Sequence, residues 1–136
     1  MQVERTGIIL NVEHFDECVG FYRQLFELPL MFELAEGDFS LCCLSLGDSY
    51  LMIETEGVAK SRGKSIAENP TKLRFNVSDM GAALERVVHF GISAQITTHT
   101  WGRTIDILDP DGNRVGIRDE PGFYQQLHNG TKGGGR

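Results

Sequence analysis

Two stretches of this chain open in the same way. TGIILNV at 6–12 alternates Ile8, Leu10 and Val12 with Gly7, Ile9 and Asn11, and a helical run follows. KLRFNV at 72–77 alternates Leu73, Phe75 and Val77 with Lys72, Arg74 and Asn76, and a second helical run follows. Asn11-Val12 and Asn76-Val77 stand 65 residues apart. A period that long belongs to a duplicated module rather than to a solenoid unit. Each copy must therefore bury the same apolar face against its own helix.

The first copy reads as βαβββ. Phe15, Val19, Tyr22 and Phe26 recur at helical spacing over 15–27, with Asp16 and Glu17 at the end the helix dipole favours and Pro29 helping to stop it. Strands follow at 30–34, 39–46 and 49–55, separated by turns at 35–38 and 47–48. Leu51 and Ile53 take one face of the last strand; Tyr50, Met52 and Glu54 take the other. In the second copy Asp79 is an N-cap, 80–90 a helix with an apolar stripe of Met80, Ala83, Leu84, Val87 and Val88, and Gly91 its C-cap. A strand is expected at 92–96. The polar stretch 56–71 reads as a loop joining the modules, with a disordered lid as the alternative.

The closing stretch, WGRTIDILDPDGNRVGIR at 101–118, reads as a hairpin. Ile105 and Ile107 precede the turn, and Val115 and Ile117 follow it at period two. In the turn Pro110 presets φ, Asp109 can bond back to the backbone, and Gly112 accepts a positive φ.

The expected fold class is therefore α+β: two tandem βαβββ modules, about 5–55 and 71–120, forming a curved mixed sheet with a shared cleft and helices on the outer face. One domain spans 1–122, and the Gly-rich tail 123–136 is expected to fray in part, with Phe123, Tyr124 and Leu127 able to dock as a short helical turn. Alternation puts Ile9, Asn11, Tyr50, Met52, Glu54, Lys72, Arg74, Asn76, Thr104, Asp106, Arg114 and Arg118 on the cleft side. So many charges imply either an internal salt-bridge network or an anionic ligand.

A net charge of −6 disfavours nucleic acid as a partner. No apolar run approaches the ~18 residues of a membrane span, so no membrane partner is expected. Three cysteines and the lack of a secretory leader point to a reducing, cytoplasmic setting.

Trp101-Gly102-Arg103, then Asp109 to Arg114, then a short strand resembles the C-terminal end of the vicinal-oxygen-chelate superfamily. That group holds glyoxalase I, extradiol dioxygenases, and fosfomycin- and bleomycin-resistance proteins. The Trp-Gly pair most resembles the bleomycin-resistance branch. The resemblance places metal-ligand positions at Gly7, Glu54, Lys72 and Gly116, of which only Glu54 can ligate a divalent ion. His14, His89, His99 and His128 form no paired spacing that would replace the missing donors.

The resemblance thus implies no metal and no cofactor, with Lys72 able to stand where an ion would be. It implies that Trp101 lines a ligand groove and stacks on planar rings. Asn11, Lys72, Arg74, Asn76, Arg103, Asp106 and Arg114 complete the candidate ligand-binding set. The implied function is metal-independent binding of a small aromatic drug-like or metabolite molecule, by a homodimer. The alternative is a glyoxalase-like lyase or isomerase, or a dioxygenase-type enzyme, with Glu54 as catalytic residue.

Overall fold

The computed structural model describes residues 1–129. Elements run β1 (Gly7–Asn11), α1 (Phe15–Gly20) continuing into a π-helical turn (Phe21–Leu25), β2 (Leu30–Glu36), β3 (Phe39–Leu46), β4 (Ser49–Glu54), β5 (Leu73–Val77), α2 (Met80–His89), β6 (Thr97–His99), β7 (Gly102–Leu108), β8 (Arg114–Asp119) and α3 (Glu120–His128). They form two four-stranded mixed sheets, ordered β1-β4-β3-β2 and β5-β8-β7-β6, so the duplication is real in strand order as well as in sequence. In each sheet the first strand pairs in parallel with the last, and the other pairs are antiparallel.

The first unit comprises Met1–Gly63 with Asp109–Gly112. Ile8 stands beside Leu51, and Leu51 beside Leu44; Leu10 stands beside Ile53, and Ile53 beside Cys42. With Val12 they are the helix-facing layer, and Cys42, Leu44, Leu51 and Ile53 are at most 3% exposed. Cys18, Phe21, Tyr22 and Leu25 meet it from α1 and the π-helical turn. On the other face Gly7 has the Tyr50 ring lying against its Cα, where any side chain would collide.

α1 has no side-chain N-cap of its own at His14. The carboxylate of Asp111 supplies the anion instead, accepting from the Glu13 N–H at 2.7 Å and the His14 N–H at 2.9 Å, with the Cys18 thiol at 3.7 Å. Beside it the Tyr22 hydroxyl donates to Asp109 at 2.6 Å. Gly112 holds φ +86°, as the turn chemistry requires. The backbone carbonyl of Lys60 lies against its Cα as well, so two reasons demand glycine there.

Burial first, and the Asp109 and Asp111 charges second, hold the Cys18 thiol and the Tyr22 phenol protonated far above their ordinary values of 9.0 and 10.0. Ionisation then belongs to the unfolded chain. Above those ordinary values the native state binds more protons than the unfolded one, so stability falls as pH rises. Urea midpoints should drop between about pH 8 and about pH 10.5, and Tyr22→Phe should flatten part of that slope. A midpoint constant over this range contradicts the burial argument.

The second unit comprises Lys64–Leu108 with Asn113 onward. Leu73, Val115, Ile117, Ile105 and Ile107 form its buried layer, and Met80 and Val87 of α2 are 1% exposed. Asp79 caps α2 through the Ala82 N–H at 3.0 Å.

One expectation needs correction, and two segments need describing. No strand forms at 92–96. Burial does alternate there, with Ile92, Ala94 and Ile96 half-buried, but the segment pairs with no neighbour, and the strand begins at Thr97. Alternation records which side is covered, not whether a hydrogen-bonded partner exists. The stretch 56–71 holds no helix or strand, in keeping with the loop reading, and it is tied down on both sides of Gly63. Gly57 N donates to Val12 O at 3.0 Å and Lys60 N to Asp111 O at 3.0 Å in the first unit; Lys64 and Asn69 both bond Asn113 in the second. Residues 123–128 of the tail lie in α3, which β8 enters directly, so Phe123, Tyr124 and Leu127 are helical as expected. The fraying expected further along, at 130–136, lies outside the described residues.

Candidate functional site

The open face of the second sheet carries most of the candidate residues. The registers set Arg74 and Asp106 on either side of Gly116, and Asn76 and Thr104 on either side of Arg118. Trp101 sits at the turn between β6 and β7, half-buried.

Arg118 is the centre of this face. It is 1% exposed and satisfied on several sides. Its Nη2 donates to Trp101 O and to Gln126 Oε1, each at 2.8 Å, and its Nε to Asp119 Oδ1 at 3.3 Å. Its guanidinium lies 4.7 Å from the centroid of Trp101 and 5.5 Å from that of Phe123. A Cβ on Gly102 would come within 2.7 Å of this guanidinium, so the Trp-Gly pair and Arg118 are one construction.

Asp119 completes it, accepting from Arg103 N at 2.7 Å and, as the N-cap of α3, from Gly122 N at 3.0 Å. Partial burial pushes its carboxyl upward, but the two backbone N–H groups and Arg118 outweigh that, and the net direction is below the ordinary value.

Two further groups lie over the indole. His99 stacks on it at 4.4 Å and 3° and bonds Thr104 Oγ1 at 2.9 Å; the exposed Arg74 guanidinium stands 5.6 Å from the ring centroid. Lys72 and Asp106 form an ion pair at 2.7 Å. It lies above Gly116, where a Cβ would meet Lys72 Cε at 3.2 Å and Asp106 Oδ1 at 3.6 Å. Asn76 is drawn to Glu120 at 3.0 Å. Arg114 donates to Asn69 O at 3.2 Å, and its buried Nε has no hydrogen-bond partner among the described residues.

So Trp101, Lys72, Arg74, Asn76, Asp106 and Arg114 share one sheet face. Arg103 does not join them: its side chain has the parity of Ile105 and Ile107, and only its backbone N–H reaches the cluster. Asn11 and Glu54 are register partners on the open face of the first sheet, with Asn11 Nδ2 bonded to Thr55 O at 3.0 Å.

The sequence places Arg118 on the open side among charges that imply a salt-bridge network or an anionic ligand, and leaves His99 outside the candidate ligand-binding set; nothing in it singles out Asp119 or Gln126. A signal did exist for α3: Asp119 followed by Pro121 is a helix start, with an N-cap acid and a proline in the first turn.

Four positions, Gly7 and Glu54 in the first unit and Lys72 and Gly116 in the second, are those the resemblance assigns to metal ligands. The Tyr50 ring covers Gly7, the Lys72 side chain passes over Gly116, and Glu54 is the one anionic donor of the four. No group of three or more His, Cys, Asp or Glu side chains placed to hold a metal occurs among the described residues. No helix among them is long and apolar enough to cross a membrane.

The fold recurs in solved proteins. Glyoxalase I of Leishmania major, described as trypanothione-dependent, superposes with a TM-score of 0.74 at 11% identity, covering 94% of each chain. The fosfomycin resistance protein FosX of Listeria monocytogenes, solved with Mn(II) and a dihydroxypropylphosphonic acid, gives 0.69 at 14% identity over 88% of this chain and 93% of its own. TnmS3, an antibiotic-binding protein from a Streptomyces species, gives 0.68 at 17% identity over 88% and 98%. A search of the curated proteins finds no match. The family model described as Glyoxalase/Bleomycin resistance protein/Dioxygenase superfamily matches residues 5–117. With that span and the paired βαβββ modules, the chain belongs to this superfamily.

Proposed function

We propose that this protein binds a small organic molecule without a metal ion, using the open face of its second sheet. The observation that carries the reading is what stands there: a half-buried indole with an exposed guanidinium over it, and an ion pair where a metal site would need donors. A planar, partly anionic ligand suits this face. Its ring takes the place of His99, held among the described residues by that stack and one hydrogen bond, while Arg118 stays fixed near the indole by burial. Its negative end meets Arg74. An antibiotic-binding protein and a fosfomycin resistance protein solved with a dihydroxypropylphosphonic acid share the fold and support a small-molecule ligand in general terms.

Trp101 is the only tryptophan, so its fluorescence reports this face alone. Titration with 2-naphthoate should quench it saturably, and EDTA should leave the curve unchanged. Trp101→Ala, followed by naphthoate emission, should weaken binding about tenfold, the value of one aromatic contact. Affinity that needs an added divalent ion, or that survives loss of the indole, rules the reading out.

The reading includes a homodimer in the cytoplasm. Strand β2 is an edge strand exposed along its whole length, with Leu30, Met31, Phe32 and Leu34 at 39–49% exposure. Such an edge is ordinarily covered. Light scattering should return twice the chain mass, and Phe32→Lys should halve it. The buried free thiols Cys18, Cys42 and Cys43 suit a reducing compartment, and burial raises all three, which makes them poor nucleophiles.

A further inference from the structure

Where β6 ends, the second sheet opens. The register pairing Thr97 with Thr104 would, if continued, set Gln95 against Asp106. The chain instead leaves the ladder before Thr97, and the gap is a cavity of about 460 Å³ lined by Ser93, Ala94, Gln95, Thr97 and Asp106. That is within the size range of small-molecule sites.

We propose that this gap is a subsite for a neutral vicinal diol, as carried by sugars and glycerol derivatives. The reason is the pairing of donors and acceptors. Asp106 gives one carboxylate oxygen to Lys72 at 2.7 Å, and its other oxygen has no hydrogen-bond partner among the described residues. The Lys72 ammonium has three donors and spends one on Asp106. Asp106 lines the gap, and the Lys72 ammonium stands beside it, so an acceptor and a donor of opposite charge lie side by side. One hydroxyl of a diol donates to Asp106 while its neighbour accepts from Lys72. A lone anion is repelled by Asp106 and a lone cation by Lys72, so the pair selects a neutral group.

Ser93, Gln95 and Thr97 add two hydroxyls and a carboxamide, none engaged in a side-chain hydrogen bond among the described residues. Ala94 is the one wholly apolar side chain of the five that line it, so polar groups predominate and suit the hydroxylated part of a ligand.

The proposal rests on the small-molecule reading above, and the two fail separately. Amide spectra of the 15N-labelled protein, titrated with cis-1,2-cyclohexanediol and with cyclohexanol, test it. The diol should shift Ser93, Ala94, Gln95 and Thr97 saturably and bind about tenfold or more tightly than the alcohol, as expected for a hydrogen bond to a charged group. Asp106→Asn should remove that preference; its side chain is 59% exposed, so the fold is not at stake. Equal response to the two probes, shifts that do not saturate at these residues, or an unchanged preference in Asp106→Asn each overturn the diol subsite. Quenching of Trp101 by 2-naphthoate persists in that event, whereas its failure alone counts against the wider reading.

Discussion

Replacing Arg118 with methionine should lower the unfolding free energy by about 3–5 kcal/mol, the usual cost of breaking a buried, hydrogen-bonded charge. The side chain is 1% exposed, so solvent cannot take over its contacts. Methionine keeps much of the volume but leaves Trp101 O and Gln126 Oε1 without their donor and Asp119 without its cation. Asp119 still holds two backbone N–H groups, which limits the loss. Lysine should recover only part of it, because an ammonium cannot present the guanidinium's planar fork to Trp101 O, Gln126 and Asp119 at once. Urea unfolding followed by circular dichroism gives the stability. Tryptophan emission gives the site: it should shift to the red in the native state of Arg118→Met as the ring loosens. A methionine variant within about 1 kcal/mol of the parent would show that Arg118 is not what holds this face together.

Asp111→Ala should cost about 2–4 kcal/mol by a different route. Asp111 is fully buried, and its two oxygens satisfy the N–H groups of Glu13 and His14, which precede α1. Alanine strands both donors and removes the negative charge from the positive end of the helix. Asparagine keeps one acceptor oxygen and should lose roughly half as much. Urea midpoints of the three proteins give the ranking, and equal midpoints for alanine and asparagine would mean that the carboxylate does not cap α1.

Both residues show how far the sequence could be read. The period of two at 8–12 and 73–77 gave the helix-facing strands, and the registers bear it out. Aspartate, proline and glycine at 109–112 gave the turn, and the Gly112 N–H bonds Asp109 O at 2.9 Å as a turn of that kind requires. The segment 92–96 misled because half-burial alternates there without a partner strand. α3 was underread because Phe123, Tyr124 and Leu127 give a weak apolar stripe. Its attachment is polar, through Asn76–Glu120 and Arg118–Gln126, and leaves no hydrophobic periodicity to count.

Amino-acid order by itself determined the duplicated βαβββ plan, the faces that meet the helices, the closing turn and the family. The plan, the faces and the turn follow from periodicity and local turn chemistry, which act over a few residues; the family follows from the resemblance at 101–118 and the family model that matches 5–117. Only the tertiary structure decided that Asp111 caps a helix 97 residues away in the chain, that Gly102 is a glycine because Arg118 lies against it, and that Lys72 pairs with Asp106 over Gly116. Those choices depend on which charges and donors become neighbours once water is excluded, and no local pattern encodes a partner that distant.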